Sequence, residues 1–138
     1  MKYLMDTNVV SELRKKARGN PRVQRWFSQT SGNALFISVL TVGELRSGVE
    51  RIRRKDQVAA ASLEKWLQSI EKQMTGRILP LTKSIAERWG YLNSRDPLPV
   101  IDGLLAATAL EHGLTLVTRN VRDVERTEVS LLNPFGDK

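Results

Sequence analysis

Met1-Lys2-Tyr3-Leu4-Met5-Asp6-Thr7-Asn8-Val9-Val10-Ser11-Glu12 opens the chain, and its reading decides the fold. The apolar run Tyr3 to Met5 is short, continuous and stops on a carboxylate. That predicts a buried strand delivering Asp6 to its C-terminal tip. Thr7 and Asn8 suit the start of a helix, whose core face Val9, Val10 and Leu13 mark by their spacing. In an open α/β sheet, ligands bind in the crevice beyond the carboxyl ends of the strands, so an acid placed there is a candidate for chemistry. Asp6 and Asn8 suit simple helix capping equally well, and this stretch alone does not decide between the two.

The rest of the chain repeats the pattern. A basic loop, Arg14 to Pro21, leads into a short helix with Val23, Trp26 and Phe27 on its apolar face. Leu35-Phe36-Ile37 is the second strand, continuous as a buried parallel strand should be. From Val42, the residues Val42, Leu45, Val49 and Ile52 keep a 3.6 period, predicting a helix that ends in Arg51, Arg53, Arg54 and Lys55. Leu63, Trp66, Leu67, Ile70 and Met74 form the stripe of a second long helix, so the pair reads as a hairpin covering the sheet or a partner, with Gly76 as its C-cap. Arg77 to Leu81 is a weak third strand, and Thr82 or Ser84 caps a helix with Ile85, Ala86, Trp89 and Leu92 on one side. After the rigid loop Asp96-Pro97-Leu98-Pro99 comes a helix from Val100 to Glu111, with Asp102 in its first turn and Gly113 ending it. Leu114 to Val117 is the fourth strand, and Val129 to Leu132 adds an edge strand. Strands alternating with helices predict an α/β, three-layer sandwich with a parallel central sheet of four to five strands flanked by helices, the opening strand at its centre.

The 138 residues make one domain, 1–138, large enough to bury about 68% of the unfolded chain's surface. The absence of cysteine excludes disulfide frameworks, thiolate metal sites and cysteine nucleophiles, and fits a reducing cytoplasm. The single histidine, His112, excludes two-histidine metal motifs; just before Gly113 it reads as a partner of the helix dipole. With no signal-like N-terminus and no apolar run near the roughly 18 residues that span a bilayer, the expectation is a soluble, unprocessed protein with no membrane contact. The net charge of +7, with 14 arginines among 22 basic residues, suits a phosphate backbone or an acidic protein partner.

Asp6 follows the first strand, Glu44 lies in the helix after the second, and Asp102 starts the helix before the fourth, with Asn120 and Asp123 just beyond that strand. In a parallel sheet these junctions open on one edge, where acids distant in sequence can converge. Hard oxygen donors without His or Cys select Mg²⁺ or Mn²⁺, and a cation would relieve the repulsion among the carboxylates. Each acid also has a local reading. Thr41-Val42-Gly43-Glu44 fits a capping box, Asp102 favours a helix N-terminus, and Asn120 and Asp123 suit a turn or cap. Glu12, Glu50, Glu64 and Glu87 read as solvated, and the tryptophans as core.

Four stretches carry a resemblance: Met5 to Leu13, Ser38 to Gly48, Ile101 to Ala109, and Leu116 to Asp123, with weaker echoes at Gly76 to Pro80 and Asn133-Pro134-Phe135. In this order, and over nearly the whole chain, they resemble PIN-domain ribonucleases, specifically VapC-type toxins of toxin–antitoxin systems, FitB-like members among them. The resemblance implies that Asp6, Glu44 and Asp102 are acidic ligands of a Mg²⁺ or Mn²⁺ site. The fourth catalytic position falls on Asn120, where the family often has Asp; Asp123 is the alternative donor. Asn8 and Thr118 match supporting polar positions, and Val124 stands where an aromatic is common. Arg14, Lys15, Lys16, Arg46, Arg119 and Arg122 are expected to contact the RNA backbone. The implied partners are an RNA substrate, a small antitoxin, a second copy in a homodimer or larger assembly, and operator DNA through the antitoxin. Two alternatives stand beside this reading. One is a catalytically silent PIN-like module, suggested by Asn120. The other is a haloacid dehalogenase-type phosphatase, which needs a second Asp where this chain has Asn8.

Overall fold

In the computed structural model, which describes residues 1–136, Tyr3–Met5 forms β1 and the chain turns directly into α1 (Thr7–Arg14). A 3₁₀ turn (Lys16–Arg18) and α2 (Pro21–Ser28) lead to β2 (Leu35–Ser38). The helical hairpin α3 (Val39–Arg53) and α4 (Gln57–Gln73) precedes the two-residue β3 (Ile78–Leu79). Then come α5 (Lys83–Arg95), α6 (Val100–His112), β4 (Thr115–Val117), the single turn α7 (Val121–Val124) and β5 (Leu131–Leu132). The five strands lie in the order β3-β2-β1-β4-β5, every pairing parallel, so the opening strand is central as expected. Tyr3 is in register with Leu35 on one side and Thr115 on the other.

Alternation along β1 divides the core. Leu4 turns to one face, joining Leu105, Ala106 and Ala109 of α6 and Leu116 of β4. Met5 turns to the other, where Val9 and Val10 of α1, Leu45 and Val49 of α3, and Leu67 of α4 close over Ile37 and Val117. A strand covered on both faces needs no polar residues, which is why this one reads as an unbroken apolar run. The small residues Ala106, Ala107 and Ala109, all buried, let α6 lie close on the sheet. Among the described residues no helix is long and apolar enough to cross a membrane.

Several local expectations need correction. The helix bearing Glu44 begins at Val39, not Val42, because β2 ends in Ser38, whose Oγ accepts the Leu40 N–H and caps the helix three residues earlier. Thr41 is therefore buried within the first turn, and the capping box with Glu44 does not form. Met74 is the C-cap of α4; Gly76, with φ +81°, instead turns the chain two residues later, towards β3. In α2 only Val23 is fully buried: Trp26 meets Tyr3 edge-on at 5.5 Å between ring centroids, and Phe27 points outward. Ala86 is likewise exposed.

Candidate active site

The chain runs to opposite sides of the sheet from β1 and β4, so the junction of these two strands is the topological switch point, and their carboxyl ends form a crevice. Asp6 sits in it. Its backbone N–H continues the sheet by donating to Val117 O at 2.9 Å, and its side chain caps α1 by accepting the Thr7 N–H at 2.6 Å. Asp6 is thus a helix cap through one oxygen, while the other faces β4. There Thr118, buried at the end of β4, donates its hydroxyl to Asp6 Oδ2 at 2.7 Å. The Asn8 amide lies 3.5 Å from both Asp6 Oδ2 and Thr118 Oγ1, and its carbonyl faces the Arg119 N–H at 3.4 Å.

Burial pushes the Asp6 carboxyl above its ordinary range, the hydrogen bonds from Thr118 and Thr7 oppose that rise, and the nearby charge of Glu44 adds to it. Glu44 projects from the second turn of α3 towards α1, where its Oε1 accepts the Thr7 hydroxyl at 2.5 Å; Thr41 Oγ1 is 3.3 Å from the same hydroxyl. Thr7 is thus the first residue of α1, not its cap, and it links two acids: its N–H to Asp6, its hydroxyl to Glu44. Sequence reasoning missed this role, although its position directly after the acid was a usable signal.

Asp102, half-buried in the first turn of α6, reaches the same crevice. Its carboxyl is pushed up to about 6, first by burial, then by the charges of Asp6, Asp123 and Glu44, and by a hydrogen bond shared with Asp123. A hydrogen bond between two carboxyls needs a proton on one of them, so this contact exists while Asp102 is protonated and gives way to repulsion when it ionises. The structure thereby brings Asp123 into the acid group. Asn120 lies at the start of α7 and is exposed; its backbone N–H donates to Thr118 Oγ1 at 3.0 Å, and its side chain makes no capping bond. The one-turn helix α7 returns Asp123 to the crevice three residues later.

All donors here are oxygens, and among the described residues no salt bridge neutralises Asp6, Glu44, Asp102 or Asp123. Nor are any three carboxylates among the described residues gathered tightly enough to grip an ion by themselves. The set fits a hard divalent cation that keeps part of its water shell, as Mg²⁺ does when only one or two carboxylates touch it directly.

The expected cations fall into different settings. Arg14 lies over the Trp66 ring at 6.0 Å from its centroid, and Lys15 pairs with Glu12 at 3.1 Å. Lys16 takes a left-handed backbone, φ +51°, on the turn that leaves α1. Arg119 stacks over Phe135 at 4.5 Å beside the crevice, and Arg122 is exposed on α7. Arg46 is directed elsewhere: its guanidinium donates two hydrogen bonds to Glu64, at 2.7 and 2.5 Å, and a third to Glu50, locking α3 to α4. Glu50 and Glu64 are thus not merely solvated; bonds from Arg46 and Arg53 hold both below the usual carboxylate range.

Glu12 also departs from its expected solvated role. It accepts the Asn20 N–H at 2.7 Å, which lowers its pKa and ties the basic loop back onto α1. Gly19 permits this closure, since a Cβ there would stand 2.9 Å from both Glu12 O and the Gln24 amide. The tryptophans lie on packed faces as expected, Trp89 against Gly103, although Trp66 also borders a groove described below.

Fold and site define a class: a parallel α/β protein with a carboxylate-centred site at the switch point of its sheet. The PIN domain family model matches residues 3–129, and the chain belongs to that family. It is 34% identical over 141 residues to Toxin FitB of Neisseria gonorrhoeae, spanning 97% of this chain and 99% of the relative. It is 29% identical over 139 residues to the VapC ribonuclease Y4jK of Sinorhizobium fredii, spanning 96% of each. The crystal structure of FitAcB from N. gonorrhoeae superposes with a TM-score of 0.89 at 32% identity, covering 98% of this chain and 99% of that one.

Proposed function

We propose that this chain is an endoribonuclease toxin of the cytoplasm that hydrolyses phosphodiester bonds in RNA with Mg²⁺ or Mn²⁺ and is neutralised by a small cognate antitoxin. The observation that carries the reading is the convergence of Asp6, Glu44, Asp102 and Asp123 at one sheet edge, where burial and the neighbouring acids raise the carboxyls of Asp6 and Asp102. Asp6, Glu44 and Asp102 would hold the cation, with Asp123 or Asn120 completing the set. When bound, the metal supplies an activated water and neutralises charge on the phosphate as the 3′ oxygen leaves. The chain's own residues prepare that site. Thr7 N–H and Thr118 Oγ fix both oxygens of Asp6, so the carboxylate needs no reorganisation to meet a ligand. Thr7 Oγ holds Glu44 against α1 in the same way. Asp102, raised to about 6 by burial and the neighbouring acids, still ionises below neutrality and is there available as a ligand, with a cation relieving the repulsion. Arg119 beside the crevice, Arg14, Lys15 and Lys16 at the far end of α1, and Arg122 on α7 favour an incoming phosphate backbone, and a flexible single strand best presents one phosphate to a recessed site.

The partners follow by homology. One solved neighbour, at 30% identity and a TM-score of 0.86, is FitAB bound to a DNA fragment. For this chain the corresponding assembly is a homodimer with an antitoxin, bound to its operator through the antitoxin. The silent-module reading rests on the charge lost at Asn120, and Asp123 beside Asp102 answers that loss. Nothing favours the phosphatase reading: where it needs an acid, the Asn8 amide points at Asp6 and Thr118. The deciding experiment incubates purified full-length chain with unstructured RNA and Mg²⁺ or Mn²⁺, with EDTA and Asp6→Asn as controls. Cleavage that both controls abolish supports the proposal; intact RNA in every lane overturns it.

A further inference from the structure

Beside the acid crevice, α1, α3 and α4 enclose an open groove of about 730 Å³ that begins at Thr7 and Glu44 and runs outward to the end of α3. Its floor is apolar, formed by Leu45, Val49, Ile52 and Trp66, of which Ile52 is 37% exposed. Its walls are basic: Arg14 and Lys15 from α1, Arg51, Arg54 and Lys55 from the end of α3. Glu44, at the inner end, is the sole acid among the described residues that line it. Cations in the last turn of a helix ordinarily complement its dipole. Here they divide by direction, since Arg53 turns towards Glu50 and Glu64, whereas Arg51, Arg54 and Lys55 line the groove.

We infer that this groove seats the RNA strand on one side of the bond to be cut, its phosphates along Arg51, Arg54 and Lys55 and a base stacked on Trp66. Two features favour a nucleic acid over other occupants. Charge complementarity is nearly complete along the walls, as a backbone with one negative charge per nucleotide requires. The floor offers a partly exposed indole, already capped by the Arg14 guanidinium, and aromatic and guanidinium planes are what unpaired bases stack on. Continuity with Glu44 and Thr7 places the groove's inner end at the acids, so a strand lying in it leads its next phosphate to the crevice. The inference rests on RNA being the substrate, and it assigns to the groove the grip on that substrate, not the chemistry.

The test separates binding from cleavage. Full-length protein in EDTA is titrated into a short, unstructured, end-labelled RNA, and anisotropy gives Kd across a range of salt. Arg51→Ala/Arg54→Ala, both at exposed positions, should weaken binding about ten-fold and reduce the slope of log Kd against log salt by about 1.4, two phosphate contacts' worth on a single strand. Trp66→Leu, which keeps an apolar side chain, should weaken binding at least about five-fold through lost stacking. With Mg²⁺, both should raise KM and leave kcat near that of the wild type. Lys83→Ala/Arg88→Ala on α5 removes the same charge away from the groove and should change Kd less than two-fold, about the reach of non-specific charge loss. Equal weakening by both double variants overturns the inference in favour of diffuse attraction. RNA binding unchanged in Arg51→Ala/Arg54→Ala, with antitoxin inhibition weakened, overturns it in favour of a protein occupant. A wild type that cleaves nothing refutes the ribonuclease reading instead, a different result from cleavage that ignores the groove.

Discussion

Asp102→Asn should make the metal-free protein more stable while abolishing its activity. The carboxyl of Asp102 is raised from an ordinary 3.8 to about 6 by burial and by the charges of Asp6, Asp123 and Glu44. An acid whose folded pKa exceeds its unfolded value binds more protons folded than unfolded between the two values. Stability therefore falls as pH rises through that window, from about 4 to about 6, and the full cost persists above it. About two units at 1.36 kcal/mol each set a ceiling of about 3 kcal/mol. Asp102 is only half-buried, so solvent screening reduces this to about 1–2 kcal/mol. Asparagine is nearly isosteric, carries no charge at any pH, and its amide donates to Asp123 where the protonated acid did.

Urea unfolding in EDTA, followed by tryptophan fluorescence at about pH 7.5 and about pH 4, measures the effect. The variant should exceed the wild type by about 1–2 kcal/mol at the higher pH, or about 3–7 °C in Tm, and match it at the lower. Adding Mn²⁺ should stabilise the wild type and do little for the variant, because only a folded site with its full ligand set gains binding energy. A variant less stable than wild type at about pH 7.5 without metal, or a difference independent of pH, would refute the idea that repulsion among these acids is stored in the fold.

Other perturbations probe the remaining parts of the site. Glu44→Gln should retain the fold, judged by circular dichroism, yet lose at least about a hundred-fold in RNA cleavage, since a cation ligand is removed. Thr118→Val removes the hydroxyl that steadies Asp6 Oδ2; Mn²⁺ affinity by calorimetry should fall about 10–100-fold, the usual scale for losing a group that orients a ligand. Asp123→Asn should reduce Mn²⁺ affinity more than Asn120→Ala does, and the reverse order would return the fourth position to Asn120. Gly103→Ala should cost about 1–3 kcal/mol in chemical denaturation, because the new methyl would stand 3.0 Å from the Trp89 indole and push α5 off the helix that carries Asp102.

What was legible in the sequence follows from how local each determinant is. An apolar run halted by an acid is a local signal, and β1 with Asp6 at its tip is where that signal points. The parallel sheet follows from strands alternating with helices, and so does the shared edge that gathers the acids. Glu44 was found through its position, although its local reading as half of a capping box was wrong: Ser38, invisible as a cap while the helix start was set at Val42, takes that role. Thr7, Glu12 and Asp123 were misread or left undecided for a common reason. Each acts through a partner set by tertiary geometry: Thr7 on Glu44 across 37 positions, Glu12 on Asn20 across a loop, Asp123 on Asp102 through a one-turn helix that periodicity cannot detect.

The charges of this protein are sorted as sharply as its apolar residues, and the sorting has a consequence for how a phosphate reaches the acids. A chain of net charge +7 could have neutralised Asp6 or Asp102 with a nearby arginine. Instead, among the described residues, arginines cross-brace the α3–α4 hairpin, stack on Trp66 and Phe135, line the groove, or pair with Glu111 and Asp96. An arginine on Asp6 would have stabilised the fold and occupied the position that a cation must take. Leaving the acids unpaired means that they repel a phosphate as they repel one another, so without a divalent cation the basic rim alone can hold RNA. Binding in EDTA should then be strengthened, not weakened, by Asp6→Asn, since the variant keeps the rim and removes one repelling charge. A loss of RNA affinity on that substitution in EDTA would mean that Asp6 contacts the RNA itself rather than serving a cation between them.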